Sequence, residues 1–149
     1  MAAMPKVDLS TIPSTNLTGY PPPLDAEVAG RWVRRLAPAT GIEDFGASQV
    51  TLEPGAWSSQ RHWHEGEDEL VVMIAGEAVL VEEGERTRLG PGDIATFPKG
   101  VANGHHLVNE SGAPCSFVAI GGPAAEDCHY PDVDLHFDGQ SGAFRAKSG

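Results

Sequence analysis

The sequence predicts an all-β fold: an antiparallel sandwich or barrel of the jelly-roll kind, with little or no helix. Three observations predict it. Eighteen Gly and twelve Pro punctuate 149 residues, so turn signals recur at short intervals. The segments between them are short apolar or alternating runs, the pattern of strands with at least one buried face. No stretch carries the three-and-four apolar spacing of an amphipathic helix. At 40% apolar residues the chain has material for one core, and its length is that of one domain.

Residues 1–26 are rich in Pro, Ser and Thr and contain Pro21-Pro22-Pro23. Proline fixes φ and removes a donor, so this segment reads as an extended arm, loose or laid across another surface. A single β domain is expected over residues 27–138. Glu27 to Leu36 holds Val28, Trp32, Val33 and Leu36 among arginines and reads as the first strand. Phe45 to Glu53 alternates, and Pro54-Gly55 turns the chain. Trp57 to His64 reads as the next strand.

Glu69 to Ala75 and Glu77 to Val81 read as strands meeting at Gly76. Glu82-Glu83-Gly84-Glu85 is a hairpin tip, Arg86 to Leu89 returns, and Gly90-Pro91-Gly92-Asp93 turns again. Ile94 to Phe97 reads as a short buried strand, and His105 to Asn109 and Cys115 to Ile120 as the last core strands. Asp132 to Asp138 places Val133, Leu135 and Phe137 on one face, the mark of a half-buried edge strand. His136 falls on the polar face and is expected to be exposed. Residues 139–149 read as a disordered tail.

The chemistry concentrates in Gln60-Arg61-His62-Trp63-His64-Glu65-Gly66-Glu67-Asp68-Glu69. On a strand, side chains two apart share a face, so His62 and His64 point the same way. Glu69 opens an apolar strand after a short acidic loop. If that loop returns the chain antiparallel, Glu69 comes back beside the imidazoles. Two imidazoles and a carboxylate aimed at one point suit a divalent transition metal: Fe, Mn, Ni, Co or Zn. Glu67 is the fallback carboxylate. Gln60 shares the parity of the histidines and is either a substrate or ligand contact or an ordinary lining residue. Trp57, Arg61 and Trp63 have the opposite parity and are expected to face away.

Around these residues stands a wider pattern. Gly55, His62-x-His64, Glu69 and Gly76, then Gly92 and Pro98-Lys99-Gly100, resemble the two sequence motifs of the cupin superfamily. The chain is similar to small single-domain bacterial cupins of unassigned activity, through Pro98 to His106 and His129-Tyr130-Pro131-Asp132. The interval from Gly55 to His62 is one residue longer than in the usual motif. The second motif places Asn103 where the family has its last histidine. His105 keeps the family's interval to Asn109, so the resemblance implies that His105 completes a 3-His/1-Glu set with His62, His64 and Glu69. His106 is the alternative third histidine. His106 and Tyr130 are further candidates for contact with substrate or with the ligands.

A formal net charge of −11 weighs against nucleic acid or an anionic membrane as partner, because both need a basic footprint. Cys115 and Cys128 lack metal-motif spacing, and no secretory apolar block opens the chain, so free thiols in the cytoplasm are expected. Cys128 is read as a packing residue. A small molecule is the expected partner and a homodimer the expected assembly, with the Val133–Phe137 strand and the Pro-rich arm covering edges. Three functions remain open. One is a metal-dependent enzyme of the dioxygenase, isomerase or lyase type. The others are a binding or sensor module and a structural barrel.

Overall fold

A computed structural model describes residues 5–123 and 126–148. Met1 to Met4 of the arm and Gly149 of the tail lie outside the described residues. The strands are β1 (Arg31–Arg35), β2 (Gly46–Leu52), β3 (Trp63–His64), β4 (Asp68–Ala75), β5 (Ala78–Glu82) and β6 (Glu85–Leu89). They continue as β7 (Ile94–Phe97), β8 (His106–Val108), β9 (Cys115–Gly122), β10 (Cys128–His129), β11 (His136–Asp138) and β12 (Ala143–Arg145). Among the described residues a 3-10 turn at Leu9–Thr11 precedes the strands, and one short helix, α1 (Leu36–Thr40), follows β1.

One face is the five-stranded sheet β1-β2-β9-β4-β7. The other is built from β6-β5-β8 and β12-β11-β10-β3, joined by an isolated bridge between His62 and His105. Every pairing is antiparallel. The result is the jelly roll that the sequence predicts. Alternation does the sorting: Val71 and Met73 of β4 point inward and are 3% and 1% exposed, whereas Ile74 is 54% exposed. Ile94 of β7 also points outward at 61%. Only Ala95 of that strand is buried, so β7 alternates instead of being buried throughout.

Leu52, Met73, Leu80, Leu107, Cys115 and Phe117 anchor the core between the faces. Burying a side chain of this size contributes about 2–3 kcal/mol. Gly76 makes the bend from β4 to β5 with φ of +74°, and a Cβ there would lie 2.7 Å from the Pro114 carbonyl. Both facts require glycine.

A second cluster lies under the chain ends: Tyr20, Val28, Cys128, Tyr130 and Leu135, with Phe137 and Phe144 packed on them. The arm is therefore bound to its own chain. Thr15 bridges Val33, and the Asn16 amide donates to the Ala29 carbonyl. Residues 143–145, which composition assigns to a disordered tail, form β12 against β11. The reason is one aromatic: Phe144 packs between the rings of Tyr20, Tyr130 and Phe137.

Three other expectations change. Trp57 to His64 is no continuous strand: it bends through residues 58–61 and only Trp63–His64 pair as β3. His136 is largely covered, its Nε2 2.8 Å from an Asp127 oxygen. Arg61 is only 7% exposed. Its Nε and Nη2 each donate to one Asp132 oxygen at 2.8 Å, and Nη1 donates to the Gly104 carbonyl. That fork fastens the His129-Tyr130-Pro131-Asp132 segment to the barrel.

Asn109 closes the far end. It is fully buried; its amide nitrogen donates to the Leu52 and Ala113 carbonyls, and its oxygen accepts from Ser111. Asn109→Ala is expected to lower unfolding stability by about 2–4 kcal/mol in urea melts, because buried carbonyls lose their donors.

Candidate metal centre

The bend through residues 58–61 delivers His62 and His64 to the barrel interior. β4 returns antiparallel and brings Glu69 beside them, and the His62–His105 bridge aligns the fourth residue. The His62 and His64 Nε2 atoms lie 3.1 Å apart. His64 Nε2 is 3.4 Å from Glu69 Oε2, and His105 Nε2 is 3.0 Å from Glu69 Oε1. Ligand atoms of His62, Glu69 and His105 fall within 4.8 Å of one another. All four residues line one cavity of about 370 Å³.

The outer nitrogens fix what the inner ones present. His62 Nδ1 lies 2.8 Å from the Gln60 carbonyl, which can only accept, so Nδ1 carries the hydrogen and Nε2 a lone pair. His64 Nδ1 sits 3.0 Å from Cys128 Sγ and 3.2 Å from a Glu67 oxygen. Nδ1 donates there, so the His64 Nε2 also turns inward. Two imidazole lone pairs at this separation repel unless a proton or a cation lies between them.

Without a metal that charge is a proton. Burial opposes a charged His64, but the hydrogen bonds to Cys128 and Glu69 outweigh it and bring its pKa up to about 10. Burial and the His64 charge pull His62 down to about 4, so it stays neutral. Burial acts against ionised Glu69 too, but the hydrogen bonds from His105 and His64 hold its carboxyl well below the usual range. A divalent cation satisfies the same donors. Two donors about 2.1 Å from one ion in neighbouring positions sit about 3 Å apart, close to the separations observed here. Nitrogen and carboxylate donors suit a transition ion, and the residues fit one.

Aromatic rings hold the ligands in place. Phe97 stacks on His105 with centroids 3.6 Å apart, and Tyr130 stacks on His62 at 5.4 Å. Tyr130 thus backs a histidine, its hydroxyl 3.4 Å from that of Tyr20. His106 reaches the cavity wall, but its Nδ1 donates to the Ser59 carbonyl at 2.7 Å and its ring packs edge-on against Trp57. Trp63 points away and stacks on His129. The Gln60 side chain does not join the histidines: its amide donates to the Leu24 carbonyl and Glu27. Period-two alternation fails there because the backbone bends; the Gln60 carbonyl, not its side chain, meets His62.

Sequence reasoning missed Cys128 as a neighbour of His64 and missed Tyr20 and Arg31 as cavity residues. Only the pairing of β10 with β3, in which Cys128 faces His64, brings the thiol in. Glu67, the fallback ligand, stands behind His64 and also lines the cavity. A Cβ on Gly121 would lie 2.8 Å from its oxygen, so that glycine makes room for the carboxylate.

The Cupin domain model matches residues 48–121. The crystal structure of a sugar phosphate isomerase from a cupin superfamily, from Silicibacter pomeroyi, is 42% identical, with a TM-score of 0.90 over 97% of this chain and 94% of that one. A putative sugar phosphate isomerase from Acidithiobacillus ferrooxidans is 25% identical, with a TM-score of 0.72 over 77% of this chain and 74% of that one. A curated protein named Endoribonuclease YbeY, from Myxococcus xanthus, is 29% identical over 86 residues, 58% of this chain. The chain spans 28% of that protein's length.

Metal binding is expected to expel one proton, from His64. Its raised pKa keeps that proton in place through neutral pH, so affinity falls as pH falls. Competition titrations against a chromophoric chelator should show log K rising by about one per pH unit from about pH 7 to 9. Calorimetry in buffers of different ionisation enthalpy should count about one proton per ion. A flat profile would contradict the assignment.

Proposed function

The chain belongs to the cupin family, and from that premise we propose a metal-dependent isomerase of small sugars or sugar acids. His62, His64, Glu69 and His105 are its ligands for one divalent transition ion. The observation that carries this reading is the pair of inward imidazole nitrogens 3.1 Å apart, with both outer nitrogens engaged, in a cavity of small-molecule size. The isomerase class follows the relatives named as sugar phosphate isomerases.

A bound ion would supply Lewis-acid polarisation of a substrate oxygen. The chain supplies the proton transfer. Aldose–ketose exchange moves one proton between adjacent carbons and one between the oxygens they carry, and Glu67 is the carboxylate we assign to the carbon proton. It faces the cavity, and burial pushes its pKa up, towards the range in which a carboxyl both takes and returns a proton. Phe97 and Tyr130, stacked on His105 and His62, hold those rings where a bound ion would need them.

No helix among the described residues is long and apolar enough to cross a membrane. Cytoplasmic residence belongs to the proposal and fits two buried free cysteines. So does a homodimer, now on different ground: Leu135 is 2% exposed, so the Val133–Phe137 segment is already covered. Exposed Ile74 and Ile94 mark the outer face of β4 and β7 instead. Light scattering that shows a monomer would remove this part.

Elemental analysis of purified protein should find about one ion per chain, lost in His62→Ala and His64→Ala. Turnover is sought with aldose and ketose phosphates and sugar acids, each metal in turn. Glu67→Gln should keep its metal while kcat falls by about 10²–10⁴. Full metal in both histidine variants would refute the centre. Stoichiometric metal with no turnover on the panel would point to a binding module instead.

A further inference from the structure

Arg31 is the charge in the cavity that the metal centre does not explain. It lies on β1, whose inner residues Arg31 and Val33 line the same cavity as the four ligands. Of the five N–H groups of a guanidinium, the Nη1 group donates to the Ser58 carbonyl at 2.9 Å, and Nη2 reaches the Leu17 carbonyl only at 3.5 Å. Nε is buried without a hydrogen-bond partner among the described residues. No carboxylate of the described residues forms an ion pair with it.

That is unusual in a chain with 21 acidic and 10 basic residues. Arg61, which is buried, is matched by Asp132 and Glu83, and exposed Arg86 by Glu110. Arg31 is half-buried, but its Nε is shut off from water with no partner, and a cation so placed with no counter-ion is costly. Burial pulls its pKa below the ordinary arginine value, and only the Tyr20 and Tyr130 phenols act against that. The Ser58 carbonyl holds the group at the wall. Hydroxyls of Tyr20, Ser58 and Ser59 share that wall, and Ser59 Oγ is 3.2 Å from His62 Nδ1. One stretch, residues 58–62, therefore ties the lone cation to the histidines.

We propose that Arg31 reads an oxyanion on the substrate, a phosphate or a carboxylate group, in the cavity it shares with the metal ligands. The missing counter-charge is then the substrate's own. An arginine fork matches two oxygens of such a group, whereas a neutral sugar leaves it unpaired. This assigns the substrate class of the proposed isomerase: a sugar carrying a negatively charged group. It rests on the proposed function for the word substrate, and on the cavity alone for the oxyanion site.

The test is calorimetric binding of inorganic phosphate, gluconate and glucose to the metal-loaded protein and, separately, to chelator-treated protein. The variants are Arg31→Met and Arg31→Lys, with exposed Arg35→Met as control. Wild type should bind phosphate or gluconate and leave glucose unbound, and the tighter of the two anions identifies the group. Arg31→Met should weaken that anion about tenfold or more and keep its metal content. Arg31→Lys should fall between, because charge survives without the fork, and it serves if Arg31→Met fails to fold. Binding to the chelated protein that depends on Arg31 would uphold the site even if the metal reading fails. Equal anion binding in wild type and both Arg31 variants would overturn it, as would glucose binding as tightly as the anions.

Discussion

The interior of this barrel is organised by an electrostatic demand. His62 and His64 turn their Nε2 atoms toward each other at 3.1 Å, and neither ring can turn away. One is held by the Gln60 carbonyl, the other by Glu67 and Cys128. A proton on one nitrogen or a metal ion between them relieves the repulsion there. Glu69 supplies the negative charge that stabilises either one, and His105 is aimed by its bond to the same carboxylate.

The rigidity that maintains this demand comes largely from the two ends of the chain. Tyr130 covers His62, Cys128 touches His64, and Tyr20 from the arm contributes to the cavity wall. These groups belong to segments on either side of the cupin match, residues 48–121. They stay because a second apolar cluster under the chain ends and the Arg61–Asp132 fork hold them. Local precision at the ligands therefore depends on packing far away in sequence, the ordinary requirement of a preorganised site.

How much was legible beforehand differs by residue. His62, His64 and Glu69 could be read because a short interval on strands determines which side chains share a face. His105 needed the resemblance, since the shifted second motif left His106 as an alternative. Gln60 was misplaced because alternation was extended through a stretch that bends. His136 and residues 143–145 were misread because polar composition conceals a single Asp127 contact and a single Phe144 ring. Cys128 and Arg31 had no local signal: a lone thiol and one arginine among several reveal nothing until their surroundings are known.

By itself the sequence determined the strand-and-turn pattern, the all-β class and the convergence of two imidazoles and a carboxylate. Each of these follows from short-range periodicity and turn chemistry, which act over a few residues. Tertiary structure alone decided which ring nitrogen faces inward, which groups lock it there, and that one arginine stands at the cavity wall without a counter-ion among the described residues. Those are properties of pairs brought together by pairing and packing across the whole chain. Protonation and solvation depend on such neighbours, not on order along the backbone.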